Sequence, residues 1–502
     1  MDQKYIITNQ KVGQDSTEFV LILRLAKKWY NNYMNSMKKT AVTTVILSAL
    51  MLAPVCASAQ YKDTKAAEET PKTKTDLLLE GAQEAQPVVI TLEQALEIAL
   101  SENVSVKVAD LEIQRTEYAK KGAYASLFPQ IDLSASYQRT IKKQKMYMNM
   151  GGSPMEIEVG MFNTLNAGAT AALPLVNAQL WKGLQISAMD VELAIEKARS
   201  SKLDMVTQVK NAYFGILLAK EALNVYNEVY NNAVDNFNET KKKFDAQKVS
   251  EFDLVRAKTS VANAIPNVYN AENSVILALW QLKAVLGVDL DMNLDVAGKL
   301  EDWSQHMFYD IHQHDDFTLA NNTTMKQLAI QVEQLAENIK MQKYACIPSL
   351  AASFNFSYIS MANDVAFKEF PWSPYSTAAL SLNIPIFAGG KRHQAIRQAK
   401  NQHQQVQLQV ENTERQLKIA IRQSLNTMET NMKSYYAAQE AVASAQKAYQ
   451  IAEAAYKVGR STLTELNDAQ LALTQSQLAQ SQAVYNFVLA KAQLEQTLGI
   501  NL

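Results

Sequence analysis

The chain has 502 residues, enough for several ordinary domains, but only 15 glycines and 11 prolines. So few turn-formers argue against a row of compact domains and for long elements. The net charge is −1, and no clustered basic face of the kind a nucleic-acid partner requires stands out.

Taken from the start, residues 1–59 read as an upstream extension and an export signal. Met37-Lys38-Lys39 is a short basic region, Thr40 to Pro54 is mostly apolar, and Ala57-Ser58-Ala59 is a small-residue cleavage site. The apolar run is too short for an ordinary membrane-spanning helix. The competing reading is a cytoplasmic tail ahead of an uncleaved anchor. Residues 60–88 are charged, rich in Thr and Ala, and read as a flexible leader. Cys56 falls in the signal, so Cys346 is the one cysteine of the mature chain and no internal disulfide is expected.

Thr91-Leu92-Glu93-Gln94 is a capping-box pattern opening a short amphipathic helix. A second helix is predicted from Asn103 to about Leu127, ended by Pro129. Ile131, Leu133, Ala135 and Tyr137 then alternate with polar residues, which is the period of a two-faced strand. Residues 140–160 read as a loop, and a second strand is predicted from about Thr164 to Leu173. From about Ala178 to Lys243 there is no proline, which predicts one helix roughly 100 Å long. Ile216, Leu223, Tyr230 and Phe237 recur every seven residues as a coiled-coil seam. A shorter helix returns over about 250–286, with Pro266 expected to kink it.

The same order then repeats. Phe244 to Leu290 overlays Tyr456 to Leu502 at a constant offset of 212, placing Leu286-Gly287-Val288 on Leu498-Gly499-Ile500. Asn103 and Pro129 fall on Asn322 and Pro348 at an offset of 219. Pro174 and Pro385 mark the hand-over from each outgoing strand to a long helix. In the second copy Tyr435, Val442, Tyr449 and Tyr456 lie on the seam. The chain therefore divides into repeat 1 at 89–288, an irregular linker at 289–320 and repeat 2 at 321–502. Each return helix is expected to extend by stacking end to end on the opening helix of the other copy.

Four two-faced strands in an exported chain pose a physical problem. Strands cross a bilayer only as a closed barrel, and such barrels need at least eight. Chains must therefore pool strands, while seams on long helices also want partners. With this order, TLEQALEIALSEN, LNIPIFAGGKR at 382–392, YKVGRSTLTELNDAQLAL at 456–473 and the two Leu-Gly signatures, the chain resembles the TolC-type outer-membrane efflux proteins over about residues 90–502.

The resemblance implies a mainly α fold with a membrane β-barrel portion. Duplicated long α-hairpins plus four β-strands per chain would form a trimeric α/β barrel. It implies a homotrimer in the outer membrane, touching outer-membrane lipid, with a long periplasmic extension. The partners would be a periplasmic adaptor and an inner-membrane pump of RND or ABC type. The chain would be a passive conduit for export, not an enzyme, and would need no cofactor or metal. It also places a periplasmic-entrance acidic ring on Glu465 and Asp468 and a tip latch on Asp253, Tyr456 and Arg460, with Gln247 where the family has a tip glycine. Two other functions remain open: a type I protein-secretion channel, and a coiled-coil structural or adhesive envelope protein.

Plainer roles compete for several residues. Thr462-x-x-Glu465 and Ser250-x-x-Asp253 are capping patterns, and Tyr456 lies on the seam. Met146, Met148, Met150 and Met155 form either a flexible loop or a soft-metal patch. His312 and His314 form either a solvated linker or a weak metal site. No nucleophile elbow, phosphate loop or HExxH spacing is present.

Overall fold

The computed structural model describes residues 87–150, 153–307, 318–364 and 371–500. The signal, the upstream extension, most of the leader and the His312–His314 segment lie outside the described residues. Contacts divide the described chain into a smaller unit, 134–168 with 357–375, and a larger unit that holds every helix.

Seven α-helices are described: α1 (Leu92–Glu102), α2 (Val104–Ala125), α3 (Ala178–Asp245), α4 (Glu251–Leu286), α5 (Thr323–Tyr344), α6 (Lys391–Lys457) and α7 (Leu463–Leu498). The duplication is visible in their lengths. Helices α2 and α5 have 22 residues each, α4 and α7 have 36 each, and α3 and α6 have 68 and 67. At 1.5 Å per residue the two long helices are about 100 Å.

The long helices gain continuous partners by an end-to-end joint. Asn103 accepts from the Ser105 amide, capping α2, and donates 2.6 Å to the Val285 carbonyl at the end of α4. Asn322 does the same in the second copy, accepting from the Met325 amide and donating 2.6 Å to the Thr497 carbonyl of α7. Both asparagines are buried, so each side-chain amide satisfies one group from each of two helix ends. The joints correct the expected stacking. Each return helix meets the opening helix of its own copy, where Asn103 and Asn322 bond the carbonyls near the ends of α4 and α7. Gly499 has φ 72°, and a Cβ there would lie 2.2 Å from the Asn321 carbonyl oxygen. Arg199 of α3 clamps this second joint, donating 2.6 Å to the same oxygen.

Helix α3 packs against both stacked rods, α2–α4 and α5–α7, and α6 packs against α5 and α7. The main core surrounds the joints. It contains Ile90, Ile98, Phe214, Ile216, Leu286, Phe487 and Leu494. The leader and the linker contribute to it. β1 (Val88–Ile90) pairs in parallel with β6 (Leu294–Val296), and the Tyr213 hydroxyl donates 2.6 Å to the Ala297 carbonyl. The linker is thus less irregular than its broken periodicity suggests. It also carries 3-10 turns at Leu300–His306 and Leu319–Asn321, with the Trp303 ring edge-on to Phe214 at 5.0 Å.

The remaining strands are β2 (Gln130–Arg139), β3 (Gln144–Met150), β4 (Ser153–Val159), β5 (Asn163–Val176), β7 (Ser349–Ala362) and β8 (Trp372–Asn383). Four form one sheet in the order β2-β5-β7-β8. Pro174 lies inside β5, whereas Pro385 lies past the end of β8, so only the second marks a hand-over. Residues 140–160 are not a loop. β3 and β4 form an antiparallel hairpin with Met148 opposite Met155 and Lys145 opposite Glu158. The alternation of Met146 and Met148 with Lys145 and Tyr147 carries the period of a strand. Within the smaller unit the buried Asn163 ties the sheet together, accepting 2.8 Å from the Tyr137 hydroxyl and donating 3.2 Å to the Asp364 carbonyl.

The joints predict distinct effects of three substitutions. Gly499→Ala should cost roughly 2 kcal/mol or more, from a left-handed φ and a backbone clash. Asn322→Ala should cost about 1–3 kcal/mol, from a lost cap and an unpaired carbonyl. Gly183→Ala, where a Cβ meets nothing within 4 Å, should stabilise slightly. Denaturant midpoints followed by helical circular dichroism in detergent check all three.

Candidate functional site at the tips of the helical hairpins

The α3–α4 and α6–α7 hairpins end in short turns built alike. The Lys248 amide donates 2.8 Å to the Lys243 carbonyl, and the Arg460 amide donates 2.8 Å to the Ala455 carbonyl. These are helix-ending bonds that require a left-handed residue just past the helix. Gly459 supplies it at φ 79° in the second tip. In the first tip Gln247 takes φ 56°, the one non-glycine among the described residues with positive φ. Each return helix then starts on a capping box, Ser250 with Asp253 and Thr462 with Glu465.

The seam continues into the tips as a second core. Tyr449, Tyr456, Leu463, Leu466 and Leu473 are buried against Ala257, with Phe237 and Val442 packed around them. Several polar contacts cross between hairpins. The hydroxyls of Tyr456 and Thr240 are 2.5 Å apart, Asn232 donates 2.9 Å to Gln470, and Asn467 donates 3.3 Å to the Ser260 hydroxyl. Lys243 donates to the Tyr456 carbonyl at 2.5 Å and sits 4.3 Å above its ring. Burial pushes the Tyr456 phenol up, and it pushes Tyr449 up to about 12, with Glu453 adding to the rise.

Each candidate residue has a definite place here. Glu465 is exposed and works as a cap, taking bonds from the Ser461 hydroxyl and the Thr462 amide. Those bonds, the Ser461 one first, hold its carboxyl below the usual carboxylate range. Asp468 lies three residues on and is exposed, with no hydrogen bond or ion pair among the described residues. The equivalent positions in the first hairpin are Asp253 and Arg256, so the doubled acid belongs to the second hairpin alone. Asp253 accepts 2.7 Å from the Ser250 hydroxyl. It is not hydrogen-bonded to Tyr456, whose hydroxyl is taken by Thr240. Arg460 is exposed. Sequence reasoning missed Thr240 and Lys243. The signal for Thr240 was its place on the seam, three residues after Phe237.

No helix among the described residues is long and apolar enough to cross a membrane. The β2 strand, by contrast, presents exposed Ile131 and Leu133, and β8 presents exposed Leu380 and Leu382. Two hairpin tips of this construction and a sheet with greasy exposed residues lie within a twice-written chain. The profile of the family described as outer membrane efflux protein matches residues 95–288 and 316–500.

The chain belongs to the outer membrane efflux protein family.

Outer membrane protein TolC of Vibrio cholerae is 22% identical over 383 residues, which cover 75% of this chain and 83% of that protein. The alkaline protease secretion protein AprF of Pseudomonas aeruginosa is 20% identical over 332 residues, covering 65% and 68%. Among solved structures, the Campylobacter jejuni CmeC outer membrane channel superposes with a TM-score of 0.63 at 18% identity, covering 81% of this chain and 85% of that one. The two segments of the family match bracket the linker, and the family places this efflux protein in the outer membrane.

The tip tyrosines give a pH prediction. Burial favours the neutral phenol, so the folded tip holds that proton more tightly than an unfolded chain does. The contribution is complete below the ordinary tyrosine value of 10.0 and is lost as the pH rises towards about 12. Tyrosinate absorbance should show a late-ionising group that Tyr449→Phe removes. Tyr456→Phe, which loses the Thr240 bond, should lower stability by about 1 kcal/mol.

Proposed function

We propose that three copies of this efflux protein assemble into one outer-membrane channel, a passive conduit for export across the periplasm and outer membrane. It serves a tripartite system with a periplasmic adaptor and an inner-membrane pump of RND or ABC type. The observation that carries this reading is the pair of open edges on each chain. The sheet ends at β2 and β8, each with one neighbour. Lipid-facing strands cannot leave such edges unpaired, and four strands cannot close a barrel. Three copies supply twelve. Family membership supports the same reading.

At the tips, threefold assembly turns Glu465 and Asp468 into rings of carboxylates. Three residues apart on α7, they share a helix face. Like charge gathered at a constriction attracts cations, as acidic rings do in cation channels. The bonds that keep Glu465 ionised below the usual range support a charged ring at neutral pH. Asp253 and Arg460 are the tip residues left to latch neighbouring tips, whereas Tyr456, buried and bonded to Thr240 and Lys243, ties the two hairpins of one chain together.

A second reading, a type I protein-secretion channel, is favoured by one observation, the similarity to a protein named for alkaline protease secretion. Co-purification of the native pump and adaptor separates the two.

The proposal predicts a heat-sensitive trimer band on unboiled gels and a trimer mass in detergent, against which a stable monomer would count. In planar bilayers the channel should be cation-selective and blocked by di- or trivalent cations from the tip side. Glu465→Ala with Asp468→Ala should weaken both properties at least several-fold while the trimer persists. An unchanged channel would reduce these acids to capping and surface residues.

A further inference from the structure

The β3–β4 hairpin forms a two-stranded sheet of its own, apart from the four strands of the main sheet. It concentrates methionine. Four of the chain's 18 methionines, Met146, Met148, Met150 and Met155, fall within residues 146–155. In a loop such residues would have no common direction, but the strand register gives them one. Residues two apart on a strand share a face, and so do residues directly opposite across an antiparallel pair. Met146, Met148 and Met150 therefore share one face with their partners Ile157, Met155 and Ser153.

Met155 is the centre of the group. It lies directly opposite Met148 and diagonal to both Met146 and Met150. Opposed positions on antiparallel strands have Cβ atoms about 5 Å apart, and diagonal ones stay within reach of long side chains. A thioether sits on an unbranched chain with three rotatable bonds, so sulfurs from such positions can converge on one point. Met146 and Met148 are 49% and 50% exposed, which leaves this face open to solutes.

Two observations separate it from an ordinary apolar strand face. A face that only packs favours β-branched and aromatic residues, as Ile157 and Val159 of β4 illustrate. β3 instead carries methionine at all three such positions after Gln144, although ordering a long flexible side chain costs more entropy. The charges, moreover, belong to the other face. Lys145 pairs with Glu156 and lies opposite Glu158 in the register. The methionine face has neither a carboxylate nor an imidazole at any of its register positions. It therefore lacks the charged oxygen ligands that hard cations such as Mg2+ and Ca2+ draw on, whereas neutral sulfur suits a soft ion.

We infer that the methionine face of this hairpin binds one soft monovalent cation, Cu(I) by class, through the thioethers of Met146, Met148 and Met155. Because the ligands come from both strands, the bound ion staples the hairpin. A two-stranded hairpin alone is marginally stable in water, and a ligand held only by the paired form shifts the equilibrium towards it. Thioethers release no proton on binding, so the site is insensitive to pH, unlike one built from thiolate, imidazole or carboxylate. It rests on the hairpin alone and stands or falls apart from the proposed trimeric channel.

The test uses Ag(I), a redox-inert stand-in for Cu(I), titrated calorimetrically into the full chain in detergent and chloride-free buffer. Both cysteines, Cys56 and Cys346, are changed to Ser so that no thiolate competes. One bound Ag(I) per chain is expected, with the same affinity between about pH 5 and 8. Met148→Leu and Met155→Leu nearly conserve volume, should each weaken binding several-fold, and together should abolish it. Met361→Leu, at an exposed position on β7, should leave it unchanged. Trypsin cleavage after Lys145 should slow when Ag(I) is added to the parent chain and not to the double variant. No binding, binding that survives the double variant, binding lost as the pH falls, or displacement of Ag(I) by Zn2+ overturns the site. A conducting trimer that binds no Ag(I) overturns the site and leaves the assembly standing, and a monomer that binds it does the reverse.

Discussion

A helix of about 100 Å needs a partner of equal length, and this chain builds one from two pieces. The constraint is at the butt joint, where the carbonyls ending one helix face the amides beginning another inside a core. Left unpaired, such groups would oppose burial. One asparagine per joint answers both ends, accepting from the incoming helix and donating to the outgoing one. The main core, the β1–β6 pair and the linker turns all gather at these joints. The long helices run unbroken past them.

Much of this was legible in the sequence because the forces are local or periodic. Capping boxes at Thr91, Ser250 and Thr462 lie within three residues of the groups they serve, and all three form as read. The seam through Tyr435, Tyr449 and Tyr456 follows from spacing alone, and all three rings are buried. The sequence was less informative wherever two segments far apart must meet. It could not say that α4 ends on α2 instead of α5. Asn103 makes one bond within its own turn and another 182 residues away, and only the first leaves a local trace. The β3–β4 hairpin was hidden differently, since in β3 methionines alternate with Lys145, Tyr147 and Asn149 in place of the usual strand residues.

At the tips, local chemistry again shows more clearly than cross-hairpin geometry. Glu465 and Asp253 carry capping signatures that the structure fulfils. The contact between Thr240 and Tyr456 spans 216 residues and was not readable, although Thr240 sits on the same seam. The two copies have diverged here. The second hairpin keeps Glu465 and Asp468, while the first carries Asp253 and Arg256. The equivalents of Thr240 and Tyr456 are Ala452 and Phe244, an apolar pair. Duplication preserved the backbone of the tip and freed its side chains to specialise.

The left-handed residue in each tip makes that divergence mechanical. Gly459 adopts its φ at little steric cost, whereas Gln247 holds a conformation that opposes a Cβ by about 1–2 kcal/mol. That energy is released when the first turn frays and is absent from the second. The six tips of a threefold ring would then alternate between compliant and stiff turns. An outside force applied evenly to such a rim would bend it at three points before the other three yield.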